Sequence, residues 1–280
     1  METIPQSATG EPLVSVVIPT YNRLHGLAEL LESLVRQTFT DFEVIVVNDC
    51  GESVTSVIAM YPELSVRLID LPDNRKHVHA RNEGVKQAAG ELILLCDDDD
   101  LLLPSHLARM VRELEGYDLV YSDVEIFDYR LEGRTRIPTS RRLFAYRYDP
   151  EAMRKFSTFV PSGILYRKSI HETLGPFDPD VYHYWDWDFY LRAAAEFRVK
   201  RVPAATVLYA FSQQGGNMSS DLNGMRHYLD KLSVKHNLGA LPTKNFFLLL
   251  EEPDVRSRQA DSEREWDGLP IISRYALHED

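Results

Sequence analysis

The chain is poor in cysteine, in basic charge and in long apolar runs. Its 280 residues include only Cys50 and Cys96. Two cysteines make no disulfide framework, and a reducing cytoplasm is the default compartment. No apolar stretch can span a bilayer; Phe246-Phe247-Leu248-Leu249-Leu250 is far too short, which leaves at most peripheral membrane association. Residues 1–12 are polar, lack the apolar core of a signal peptide, and read as a flexible leader. Lys and Arg number 31 against 43 Asp and Glu, a formal net charge of -12. That balance argues against a nucleic acid or an anionic membrane surface as the main partner. It leaves room for a small phosphorylated ligand whose charge a metal and a few local bases can balance. There is no internal repeat and no low-complexity tract. No G-x-G-x-x-G follows the first apolar run, which disfavours a dinucleotide-dependent dehydrogenase.

What is present is alternation. Val14–Ile18 is a β-rich run stopped by Pro19, and Asn22 is a good N-cap for a following helix. Leu27, Leu30, Leu31, Leu34 and Val35 then fall on one helical stripe. Residues 43–47 and 66–69 read as strands, 55–61 and 79–89 as helices, with Gly90 as a C-cap. Glu91–Cys96 is a further short apolar run, closed by Asp97-Asp98-Asp99-Asp100. Strand and helix thus alternate through the first hundred residues, the pattern of an α/β fold with a mostly parallel, Rossmann-like sheet flanked by helices. In such a sheet the loops at the strand ends, Pro19–Arg23, Asn48–Ser53 and Asp97–Asp100, converge on one crevice. With strand order 3-2-1-4 the two cysteines lie too far apart to bridge. Beyond Phe127 the segment 128–155 is arginine-rich and aromatic with no clear period, and reads as an irregular excursion over the crevice. Later elements are a strand at 163–166, a helix at 186–197, one or two short strands at 199–211 broken by Pro203, and a helix at 222–236.

The acidic run at the end of a buried strand needs compensation. Two carboxylates about 4 Å apart repel by roughly 4 kcal/mol at an effective dielectric near 20. A divalent cation such as Mn²⁺ or Mg²⁺ is the economical answer; a solvated acidic loop is the alternative.

Several blocks together resemble glycosyltransferase family 2. Val14-Ser15-Val16-Val17-Ile18-Pro19-Thr20-Tyr21-Asn22-Arg23 looks like its opening strand, and Gln37–Asp49 resembles its next block. Ala80-Arg81-Asn82-Glu83-Gly84 with Gly90-Glu91 resembles the third, the aspartate run its D-x-D motif, and Gly175-Pro176-Phe177-Asp178 with Trp185-Asp186-Trp187-Asp188 its acceptor-side region. The resemblance covers about residues 13–220. It implies a GT-A fold and an inverting, metal-dependent transfer from a nucleotide-diphosphate sugar, UDP-linked in the commonest case. The acceptor hydroxyl would belong to a glycan, a lipid-linked molecule or a small molecule, as in polysaccharide, cell-surface glycan or glycolipid synthesis. It further implies that residues 13–240 are one catalytic domain, with a nucleotide-sugar half (13–127) and an acceptor half (128–240). From Leu241 the pattern weakens and turns acidic, an extension (241–280) whose tail 251–280 reads as partly disordered or as a docking segment.

Carried over position by position, the resemblance assigns the nucleotide to Pro19, Thr20, Tyr21, Arg23, Asp49, Arg81, Asp97 and Asp98. Asp97 and Asp99 would hold Mn²⁺ or Mg²⁺, Asp99 as the principal ligand, and Asp186 would be the catalytic base. Trp185, Trp187 and Asp188 would meet the acceptor. The residue types suit the chemistry: a carboxylate can take the acceptor hydroxyl's proton, and charge gathering on the departing diphosphate needs a cation. Two positions depart from the family pattern. Trp185 stands where a Glu commonly precedes the base, and Ser212 or Gln213 stands where many members carry a metal-binding His. His77 and His79 are further candidate bases near the nucleotide.

Each residue also has a plainer reading. Asp49 could cap a turn, Arg81 could be a solvated helix residue, and the tryptophans could be core. Asp186 and Asp188 lie two apart on a helix, so at most one faces the site while the other is free to cap. Two alternative functions stand beside the enzyme: a non-catalytic nucleotide-sugar-binding scaffold, and a nucleotidyltransferase. The latter would need a glycine-rich loop after the first strand, and Pro19–Arg23 lacks it.

Overall fold

The computed structural model describes residues 10–211, 222–243 and 246–278. Its first half follows the alternation: β1 (Val14–Thr20), α1 (Leu24–Val35), β2 (Phe42–Asn48), α2 (Thr55–Ile58), β3 (Val66–Asp70), α3 (Lys76–Gln87) and β4 (Leu92–Leu95). These four strands are parallel in the order β3-β2-β1-β4. β1 is buried along its whole length because helices cover both faces, which is why it is a continuous apolar run. Val14, Val16 and Ile18 pack with the α1 leucines on one side, while Val17 packs with Val78 and Val85 of α3 on the other. Both cysteines are free.

Some local expectations are corrected. Pro19 does not stop β1, which runs on to Thr20 beside β2; β4 pairs with β1 only as far as Val17, so no ladder partner needs the missing N–H. Asn22 is not an N-cap. It adopts φ +56 and its Oδ1 accepts from the Glu52 amide at 2.8 Å, tying the loops after β1 and β2 together. Gly90 is not a C-cap either, since α3 ends through an extended Ala88. A Cβ at Gly90 would lie 2.7 Å from the Ser15 amide, so glycine is there for close approach to β1.

The second half adds β5 (Leu101–Leu102), α4 (His106–Glu113), β6 (Leu119–Glu132), β7 (Thr135–Phe144), α5 (Pro150–Met153), β8 (Ile164–Arg167), α6 (Ile170–Leu174), α7 (Trp185–Glu196), β9 (Val199–Ala210) and α8 (Leu222–His236). The irregular excursion expected from residue 128 is instead largely a hairpin. β6 continues to Glu132, turns through Gly133 (φ +58), and returns as β7. Apart from the buried Arg136 its outer part is paired while exposed or half-buried, so no apolar face imposes an alternation. β8 slots antiparallel between β4 and β6, and β9 pairs parallel with β6. Pro203 does not break β9. The register slips between the Ser122–Val202 and Asp123–Ala205 pairs, placing Pro203 in a bulge that needs no ladder donor.

The last described segment docks. It carries α9 (Phe246–Leu250), α10 (Pro253–Arg256), β10 (Glu263–Arg264) and α11 (Arg274–Leu277). β10 extends the sheet along β9. Arg109 of α4 holds Glu263 and Glu265 at 2.8 and 2.7 Å, and Arg274 holds Glu63 at 2.7 Å.

Candidate active site

A cavity of about 530 Å³ opens beyond the carboxyl ends of β1, β2 and β4. The loop after β1 supplies Pro19, Thr20, Tyr21 and Arg23, that after β2 supplies Asp49, and that after β4 supplies Asp97, Asp98 and Asp99. Arg81 reaches it from α3; Trp185, Asp186 and Trp187 come from the first turn of α7. Residues separated by more than 160 positions therefore share one wall.

The acidic loop is tightly fixed. The Asp97 amide donates to Ser162 Oγ at 3.0 Å, and that hydroxyl donates to Asp100 at 2.6 Å. The Ala210 amide also donates to Asp100, which faces the protein and is fully buried. Burial and the neighbouring Asp99 and Asp97 hold its carboxyl well above the usual range. Asp100 is thus a scaffold of the loop. Asp98 is buried as well, and burial and Asp99 push its carboxyl up while Arg23 opposes them. The part-exposed carboxylates are Asp97 and Asp99, paired with Arg81 and Arg23 respectively.

Arg81 is 4% exposed, which rules out the solvated reading. Besides Asp97 it contacts His77 Nδ1 at 2.6 Å, and its guanidinium lies 4.3 Å from the Trp185 ring centroid. Burial and Arg81 push His77 down to about 2, so the ring is neutral. Asp49 lines the cavity, and its Oδ1 accepts from the Arg75 amide at 2.7 Å, bracing the entry to α3.

The two carboxylates at the start of α7 part ways, as their spacing requires. Asp186 faces the cavity, and burial raises it to about 6, with Asp97 adding and the Trp187 amide and Arg81 opposing. Asp188 is corrected: it does not line the cavity. It is fully buried and bonded to Arg192, Lys235 and His236 at 2.8, 2.7 and 2.7 Å. Burial pushes it up, but those partners outweigh burial and leave it at about 2. It fastens α7 to α8 and has no room for an acceptor. Trp187 lines the cavity and donates to the Met153 carbonyl at 2.7 Å.

Sequence reasoning missed several wall residues. Asn74 precedes α3, Phe144 and Lys155 come from the segment expected to pass over the crevice, and Phe156 and Phe159 follow it directly. Its aromatic, basic composition was the available signal. Ser212 and Gln213 lie outside the described residues.

Gly26 of α1 lets the helix approach the acidic loop. A Cβ there would lie 2.5 Å from the Asp98 carbonyl oxygen, against backbone that cannot swing aside. Gly26→Ala is expected to lower stability by about 1–3 kcal/mol through overpacking, less up to about 1 kcal/mol of helix propensity. Urea unfolding measures the net loss.

Residues 15–175 match the profile of Glycosyl transferase family 2. The glycosyltransferase YwdF of Bacillus subtilis (strain 168) is 57% identical over 262 residues, covering 93% of this chain and 98% of that protein. This chain belongs to glycosyltransferase family 2. A family member from Mycobacterium bovis, named a PGL/p-HBAD biosynthesis glycosyltransferase, is 30% identical over 81% of this chain and 87% of its own length. Among solved structures, Staphylococcus aureus TarS 1-349 in complex with UDP-GlcNAc superposes with a TM-score of 0.65 at 23% identity, covering 81% of this chain and 67% of TarS 1-349. The mannosyltransferase PcManGT of Pyrobaculum calidifontis, in complex with GDP-Man and Mn²⁺, gives 0.56 at 18% identity over 91% and 85%. The fold of this glycosyltransferase is therefore GT-A. Family membership sets aside the nucleotidyltransferase alternative. No described helix is long and apolar enough to cross a membrane.

Proposed function

We propose that this glycosyltransferase moves a sugar, with inversion, from a UDP-sugar to an acceptor hydroxyl in glycan, glycolipid or small-molecule glycoside synthesis. The observation that carries the reading is one cavity walled by both the acidic loop with its arginines and the high-pKa carboxyl of Asp186. The TarS complex with UDP-GlcNAc supports a nucleotide-sugar donor on this fold.

Mn²⁺ or Mg²⁺ fits as a joint site. Among the described residues no three His, Cys, Asp or Glu side chains converge on one point. Mg²⁺ does not require that; it is commonly held by one or two carboxylates together with substrate phosphates. Asp97 and Asp99, part-exposed on the cavity, are hard oxygen donors of that kind. A bound cation would act as a Lewis acid on the leaving diphosphate. The PcManGT complex with Mn²⁺ supports this choice.

In this reading Asp49, Thr20 and Tyr21 receive the nucleoside, and Arg81 and Arg23 balance the diphosphate. Trp185 and Trp187, core residues 4% and 7% exposed, stiffen the acceptor side of the wall. Asp186 takes the acceptor hydroxyl's proton as oxygen attacks the anomeric carbon on the face away from the diphosphate. A base works only when ionised. With Asp186 raised to about 6, the rate is expected to be flat above that pH and to fall about tenfold per unit below it. Initial rates from pH 4.5 to 8 with a saturating donor check this. A screen of nucleotide sugars with Mn²⁺ by thermal shift tests the donor class, and stabilisation by none of them refutes it.

A further inference from the structure

A buried ion pair grips the acidic loop from outside the cavity. Arg136 of β7 is 8% exposed and Glu29 of α1 is 2% exposed. Arg136 Nε donates to the Glu29 carboxylate, while its Nη1 donates to the Asp99 carbonyl at 2.7 Å. Neither residue lines the cavity. The rings of Phe127 and Tyr129 lie 5.6 and 5.3 Å from the guanidinium, and Trp266 and Ile271 of the docked C-terminal segment border the same spot.

Apolar side chains could fill that volume at least as stably as a buried ion pair. They could not hold a carbonyl oxygen. A guanidinium is a planar fork whose donors point in fixed directions, so orienting one arm orients the other. Glu29 occupies one arm and the Asp99 peptide the other. Asp99 is thereby held twice, by its carbonyl to Arg136 and by its carboxylate to Arg23. We propose that Arg136, aimed by Glu29, is a positioning residue that sets the Asp99 peptide plane and so the direction in which its carboxylate faces the donor cavity. Arg136 is then part of the donor site without touching donor. Only the kinetic consequence rests on the reading of the loop as a donor site; the positional claim does not.

The full-length double variant E29L/R136L removes both charges together and so leaves no orphaned ion. It is expected to unfold cooperatively near the wild-type midpoint. Hydrogen exchange followed by mass spectrometry should show amides 99–102 exchanging at least about tenfold faster, with β1 and β2 unchanged. Turnover should fall about 10- to 100-fold, with KM for the acceptor unchanged. R136K keeps the charge but cannot span both acceptors, and should loosen the same amides with a smaller loss of turnover. If E29L/R136L does not fold, R136K decides on the same readings. Wild-type exchange at 99–102, or faster exchange spread evenly over the chain, overturns the proposal. A loosened loop in a protein whose wild type binds no UDP sinks the donor reading and leaves the positional claim standing.

Discussion

Asp186→Asn is expected to leave UDP affinity near wild type while turnover drops about 10²- to 10⁴-fold, the range for losing a positioned general base. The swap is nearly isosteric, and an amide cannot accept the proton. The nucleotide residues sit on the other elements of the wall, so donor binding has little reason to change. The carboxylate is also disfavoured where it stands, because burial raises it to about 6. Removing that charge should therefore leave the fold intact or slightly firmer. Calorimetric titration with UDP beside initial-rate kinetics separates the two effects. Wild-type turnover in the variant would place the base elsewhere.

The second large effect concerns Asp99. In wild type, added Mn²⁺ is expected to tighten UDP binding at least about tenfold, the difference that one well-placed cation–diphosphate contact supplies. In Asp99→Ala that enhancement should vanish. Metal-free UDP binding should persist or improve, because Arg23 loses its nearest carboxylate and keeps only Asp98 at 3.8 Å. A freed guanidinium is a good phosphate ligand. Titrations with and without Mn²⁺ measure both arms. An undiminished Mn²⁺ enhancement in the variant would remove Asp99 as a ligand.

How much of this was legible in the sequence varies with the physics of each element. The first four strands were readable because both of their faces are buried, so each is an apolar run bounded by turn residues. The convergence of three strand-end loops then follows from topology alone, and it brings Arg23, Asp49 and Asp97 to one wall. The outer hairpin was not readable, because its pairing is a backbone matter while its side chains, Arg136 apart, are exposed or half-buried and impose no apolar alternation. Nor could the sequence divide four identical aspartates. Asp100 differs from Asp99 only in facing Ser162 and the Ala210 amide instead of the cavity. For Asp186 and Asp188 the spacing dictated that one face inward, but only the partners on α8 decide which.

The margins of the sheet carry a last consequence. β10 is two residues long, β3 is short and carries Arg67 and Asp70, and β7 contains Pro138 and several arginines. Each is a poor template for a foreign strand. Deprived of its final thirty residues, the protein would uncover only Ala204 and Ala205 of β9, because β5 stays paired beside them on the same edge. The larger loss is of charge balance: the buried Glu125 carboxylate would keep Arg141 and lose Arg264.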